Sequence, residues 1–125
     1  MHPIATPDAP AALGPYAQAV ELDGWVFTSG QVGQTESGDI PEGIVAQTEL
    51  AWSNLRKVLE ASGMGLEHLV HVNGYLTRRE DLDLFFETRK PHMLPGRPTA
   101  TLVIVSGLAH RDWLVEIEGY AAAPT

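Results

Sequence analysis

The chain contains no cysteine, which excludes disulfides, thiolate metal sites and a cysteine nucleophile. Basic residues are scarce: 8 Lys and Arg stand against 16 Asp and Glu, a formal charge of -8. A phosphate backbone would meet a repelling surface, so no nucleic acid partner is expected. No apolar run approaches the roughly 18 residues that a membrane span needs, so no membrane partner is expected either. The opening "MHPIATPDAP" has neither the basic start nor the apolar stretch of a signal peptide. These absences read as a cytoplasmic protein. There is no internal repeat or low-complexity linker, and the 125 residues are expected to form one domain, 1-125. A chain of this length buries roughly two-thirds of the surface it exposes when unfolded.

What is present has clear periodicity. Pro3, Pro7 and Pro10 make the first dozen or so residues extended or irregular. Ala19 to Leu22 and Trp25 to Thr28 are β-forming runs around Asp23-Gly24, the pair a type I′ hairpin turn favours because both residues need positive φ. A helix is expected from about residue 41 to 62, with Asp39 as cap, Pro41 in the first turn and Glu42 three residues after the cap. Ile44, Thr48, Ala51, Leu55, Val58 and Leu59 recur at helical spacing, with Gln47, Glu49, Asn54, Arg56 and Lys57 expected outward. Gly63 would close it. His68 to Thr77 alternates as a strand, and Asp81 is placed to cap a shorter helix stopping before Pro91. "TATLVIVSG" and "WLVEIEGYA" supply two more strands.

The order, hairpin, helix, strand, helix, two strands, predicts an α+β fold: a mixed β-sheet with two helices on one face. That leaves the other face bare, and Leu102 and Ile104 point one way while Val103 and Val105 point the other. A second copy in a closed cyclic oligomer is the simplest cover.

Several side chains can carry chemistry. His2, His68, His71, His92 and His110 show no HExxH or HxxxH spacing, so no metal site is expected. His71 shares a strand face with Asn73 and Tyr75. Glu116 and Glu118, two apart on a strand, share a face. Either they raise each other's pKa and act on a water, or they form a solvated face or pair with Arg97 or Arg111. Tyr16 follows a Gly-Pro turn. Ser29 and Gln31 flank Gly30, where backbone can approach a ligand and a hydroxyl with nearby N-H groups can hold a carboxylate or carbonyl oxygen. There is no GxSxG elbow to make Ser29 a nucleophile.

"APAALGPYAQAV", "VFTSGQVG", "AQTELAWSNLRKVLEASGMGLEHLVHVNGYL" and "LVEIEGYAA" resemble the RidA/YjgF family in the same order over nearly the whole chain. The resemblance implies a chorismate-mutase-like subunit in a homotrimer, its sheets forming a central barrel with small-molecule pockets at the subunit interfaces. It implies a hydrolase acting on C-N bonds, a deaminase that converts enamine and imine intermediates to a keto acid and ammonia without a cofactor. By motif, Tyr16 and Ser29 match pocket residues and Glu116 the glutamate that positions the attacking water. The family's carboxylate-binding arginine, in a motif like Pro-Ala-Arg-Thr, corresponds to Ala100 in Pro98-Thr99-Ala100-Thr101. Moving Arg97 into register would be a three-residue slip, and an odd slip turns every strand side chain over. Arg97 is therefore the nearest substitute anchor rather than the aligned one, followed by Arg111 or an arginine of a neighbouring subunit. A different small-molecule reaction in a dedicated pathway, or a ligand-binding trimer without turnover, are the alternatives.

Overall fold

Alternation and turn chemistry build one seven-stranded sheet in the computed structural model, which describes residues 1-123. In chain order the elements are β1 (His2-Ile4), β2 (Ala19-Leu22), β3 (Trp25-Thr28), β4 (Gln31-Val32), α1 (Ile44-Glu60), β5 (Leu69-Leu76), α2 (Leu82-Met93), β6 (Thr99-Ile104) and β7 (Val115-Ala122). The strands lie in the order β1-β2-β3-β7-β5-β6, with β4 also paired to β7. Among the described residues only β5 and β6 run parallel, joined through α2, so the sheet is mixed as expected. The hairpin turn has φ of 52° at Asp23 and 84° at Gly24, the left-handed pair that a type I′ turn requires.

Both helices cover one face. In β7 the residues Val115, Ile117, Gly119 and Ala121 are buried, alternating with half-buried Glu116, Glu118, Tyr120 and Ala122. The buried set joins Trp52, Leu55, Val58 and Leu59 of α1, Val72 and Leu76 of β5 and Phe85 of α2 in one core. Each fully buried Leu, Val or Phe contributes about 1.5-3 kcal/mol.

The other face carries His71, Asn73 and Tyr75 of β5 beside Glu118 and Tyr120 of β7. His71 bridges Thr99 Oγ1 (2.7 Å) and Asn73 Oδ1 (2.8 Å), while Asn73 and Tyr75 donate to Glu118 Oε2. Trp25, Phe27 and Val103 on the same face stay 38-43% exposed. Burial and the neighbouring Glu118 raise the pKa of Tyr75.

Several local expectations are corrected. The first helix begins at Ile44 after Gly43, without a side-chain cap. Asp39 instead closes the loop below it, its N-H donating to Thr35 Oγ1 and its carbonyl accepting from Thr35 N-H. Gln47 and Asn54 face inward and are buried. Asp81 precedes α2, but its carboxylate is held by Arg78 at 2.8 and 3.0 Å instead of capping. The helix runs through Pro91 to Met93. A proline in the last turn of a helix forfeits only one backbone bond, and Leu94 N-H still reaches Lys90 O.

Candidate functional site

A cavity of about 660 Å³ opens beside β4 and is walled by Tyr16, Ser29, Gly30, Gln31, Val32 and Glu116. The loops holding Pro10, Ala11 and Leu13, the 34-38 loop, Ala109 and Trp113 complete its lining. Three candidates from distant parts of the chain therefore meet in one place.

Each is positioned by identifiable contacts. Leu13 N-H donates to the Tyr16 hydroxyl oxygen at 3.2 Å, closing the Gly-Pro turn under the ring. Ser29 N-H bonds Gln18 O, and Ser29 Oγ donates to Ala17 O at 2.5 Å. That hydroxyl has given up its single proton, so toward the cavity it can only accept.

Glu116 lies over the backbone of Gly30: a Cβ at Gly30 would stand 2.1 Å from Glu116 Oε2. The glycine is thus needed for closeness. Burial, and secondarily the charge of Glu118, raise the Glu116 pKa above the ordinary carboxylate value. Its proton-bound and ionised forms are brought closer in energy near neutral pH. Neither Glu116 nor Glu118 is in an ion pair with Arg97 or Arg111 among the described residues.

Arg97, Ala100 and Thr101 lie elsewhere. Ala100 and Thr101 sit on the edge strand β6, beyond β5 from β7, which at strand spacing is roughly 10 Å from Glu116's own strand. Ala100 pairs with Val72 and Thr101 with Asn73. Arg97 adopts φ 49° in the loop before β6, where its N-H bonds Met93 O at 2.8 Å. None of the three lines the cavity of this chain.

Three buried amides brace the site, and two of them, Gln47 and Asn54, stand at positions expected outward. Buried Gln18 ties down the N-terminal wall: its side chain bonds Thr6 N and O and, at 2.8 Å, Pro10 O. Asn54 donates to Val32 O and Gln34 O, both at 2.9 Å, fastening β4 and the next loop to α1. Gln47 bonds Asp112 O and Leu114 N, fixing the segment that carries Trp113. For Gln47 and Asn54 the sequence carries a signal: positions 47, 51, 54 and 58 fall on one helical stripe.

The family profile described as Endoribonuclease L-PSP matches residues 6-123. The chain belongs to the RidA/YjgF family. A mouse 2-iminobutanoate/2-iminopropanoate deaminase is 35% identical over 120 residues, 94% of this chain and 88% of the mouse protein. A RutC family protein of Aquifex aeolicus is 42% identical over 78 residues, 62% of each chain. The crystal structure of E. coli TdcF with bound serine superposes with a TM-score of 0.93 at 30% identity, covering 99% of this chain and 100% of that one. The RidA/YjgF relationship accounts for the α+β subunit. No helix among the described residues is long and apolar enough to cross a membrane.

Proposed function

We propose that the chain catalyses hydrolytic deamination of a reactive enamine or imine to a carbonyl compound and ammonia in the cavity beside β4. The observation that carries this is the convergence of Tyr16, Ser29 and Glu116 there, with the Glu116 pKa raised by burial. Glu116 takes a proton from water as the water oxygen bonds the imine carbon. From the iminium form this leaves a carbinolamine; the same carboxyl returns the proton to nitrogen and takes the hydroxyl proton as the C-N bond breaks, so that ammonia leaves, the carbonyl forms and the last proton goes to ammonia as ammonium. Ser29 and Tyr16 orient the substrate. The names of the deaminase relatives support this reading.

The bare sheet face, with Trp25, Phe27 and Val103 exposed, supports a homotrimer in which a second copy covers it. In that assembly the β6 edge of a neighbour brings Arg97, Ala100 and Thr101 to the pocket, which becomes an interface site. No cofactor takes part. The charge of -8 supports a small-molecule substrate over RNA, in a cytoplasmic setting.

Generating imines in situ from an amine oxidase or an amino-acid oxidase, and following carbonyl and ammonia release, tests the reaction. Acceleration over buffer is expected; none with either imine class overturns it. Ala100 favours a second reading, a ligand-binding trimer, which ligand-induced thermal stabilisation without turnover would select.

A further inference from the structure

Glu116 has a companion outside the cavity wall. Glu118 stands two residues further along β7 and on the same sheet face, which at strand spacing puts the two side chains roughly 7 Å apart. Asn73 Nδ2 donates to Glu118 Oε2 at 3.2 Å, and the Tyr75 hydroxyl donates to the same oxygen at 3.3 Å. The direction of the rest follows from that end. A carboxylate only accepts, so the amide nitrogen of Asn73 faces Glu118 and its Oδ1 faces His71. His71 Nε2, 2.8 Å from Asn73 Oδ1, therefore carries a hydrogen, while Nδ1 meets Thr99 Oγ1 at 2.7 Å. Side chains of β5 and β6 thus hold the Glu118 carboxylate in one place.

We propose that Glu118 is a positioning residue for the deamination: fixed by Asn73 and Tyr75, its carboxylate repels a second negative charge and makes Glu116 a stronger base toward water than burial alone does. The proposal rests on the deaminase reading of the cavity. Glu118 touches no substrate and acts through Glu116, so the path of each proton and the charge balance of the reaction are unchanged. The direction of the Glu116 pKa agrees: burial raises it first and the Glu118 charge second. The other titratable groups on this face are His71 and Tyr75 of β5 and Tyr120 of β7, whose ring stacks on His71 at 5.9 Å. The flanking strands β3, β4 and β6 bring the uncharged Phe27, Gln31, Thr99 and Thr101 opposite them. In the proposed trimer a neighbour's Arg97 acts on wild type and variant alike, so comparing the two isolates Glu118.

Titration of the intact protein, followed by NMR of the carboxyl carbons, tests the coupling. Each signal is identified by its loss in Glu116→Gln or Glu118→Gln. In Glu118→Gln, whose amide oxygen still accepts from Asn73 and Tyr75, the Glu116 signal should titrate at lower pH than in wild type. Coupling is reciprocal, so Glu116→Gln should move the Glu118 signal to lower pH as well, and that arm decides even where Glu118→Gln does not fold. Partner signals that do not move overturn the proposal. Activity gives a second readout, on the 2-imino acid formed by oxidising phenylalanine and on the carboxylate-free imine formed from phenethylamine. With whichever is turned over, kcat/KM of Glu118→Gln should fall about two- to tenfold near neutral pH. Its acid limb should lie at lower pH, so that the deficit narrows on acidification. Glu118→Asp, which keeps the charge, should hold the limb nearer to wild type. A loss that is equal at every pH makes Glu118 a structural residue and overturns the proposal. If neither imine is accelerated, the deaminase reading fails and the role of Glu118 in it fails too, while the titration still decides whether the two carboxylates are coupled.

Discussion

The cavity beside β4 and the edge strand β6 make an instructive pair. At the cavity, residues up to about a hundred positions apart in sequence are held by buried amides and by glycine contact, and Tyr16, Ser29 and Glu116 converge. At the edge, Thr99, Ala100, Thr101 and Val103 are exposed, and the strand has a partner on one side only. Half of the expected site is finished within one chain; the other half faces outward. A pocket wall braced by the chain's own contacts and an edge strand with one free side are what the proposed trimer, in which a neighbour supplies the remainder, requires.

The strongest way to break the comparison is at Glu116. Glu116→Gln keeps the shape and removes the base, and turnover should fall by about 10² to 10⁴ while circular dichroism stays unchanged. Because the Glu116 pKa is raised, the wild-type rate should drop on acidification at a pH above the ordinary carboxylate range. Stability runs the other way. The folded state holds this proton more tightly than the unfolded chain, so the group's contribution declines as pH rises from the ordinary carboxylate pKa through the raised one. Near pH 7, Glu116→Gln should therefore melt no lower than wild type, and below both pKa values the difference should vanish. A variant that loses both activity and stability at neutral pH would make Glu116 a structural residue.

Gly30→Ala separates position from chemistry. The added methyl collides with a flexible carboxylate rather than with backbone, so the fold should tolerate it and Glu116 should swing away. We expect turnover to fall by about 10- to 100-fold, with a loss of stability within about 1 kcal/mol. An unchanged rate would detach Glu116 from the reaction.

The two regions were not equally legible in the sequence. The turn at Asp23-Gly24, the alternation that puts Glu116 and Glu118 on one face, and the α1 stripe are local patterns, and the structure reproduces them. Gln47 and Asn54 lie on the inward stripe although their residue type points outward: an amide is polar, yet inside a protein it can satisfy backbone groups that no apolar side chain can. Ser29 was legible as a residue near a turn, but the direction of its proton depends on Ala17 O, across the β2-β3 pair. Non-local contact decided that, and no window of sequence contains it. The meeting of Tyr16 with Glu116 came from family resemblance, not from spacing.

A gain of function sharpens the contrast further. If the β6 edge of one copy faces the cavity of the next, Ala100→Arg supplies the missing guanidinium, and kcat/KM for the imine of phenylalanine should rise about tenfold. The carboxylate-free imine should gain nothing. No change for either substrate, with the oligomeric state preserved, would separate β6 from the pocket.

The smallest effect belongs to Arg97. Its φ of 49° puts an L side chain in the left-handed region, a conformation that glycine adopts without the Cβ clash. The exposed guanidinium makes no ion pair among the described residues, and the bond from Arg97 N-H to Met93 O is a backbone bond that glycine keeps, so no side-chain contact offsets the strain. Arg97→Gly is therefore expected to hold or raise stability, by up to about 1 kcal/mol, and to change turnover of the carboxylate-free imine by less than about twofold. A loss of about tenfold or more in kcat/KM confined to the 2-imino acid would carry a different meaning. It would show that the left-handed turn exists to aim the guanidinium into a neighbour's cavity, and that the edge strand brings a carboxylate anchor three residues ahead of Ala100.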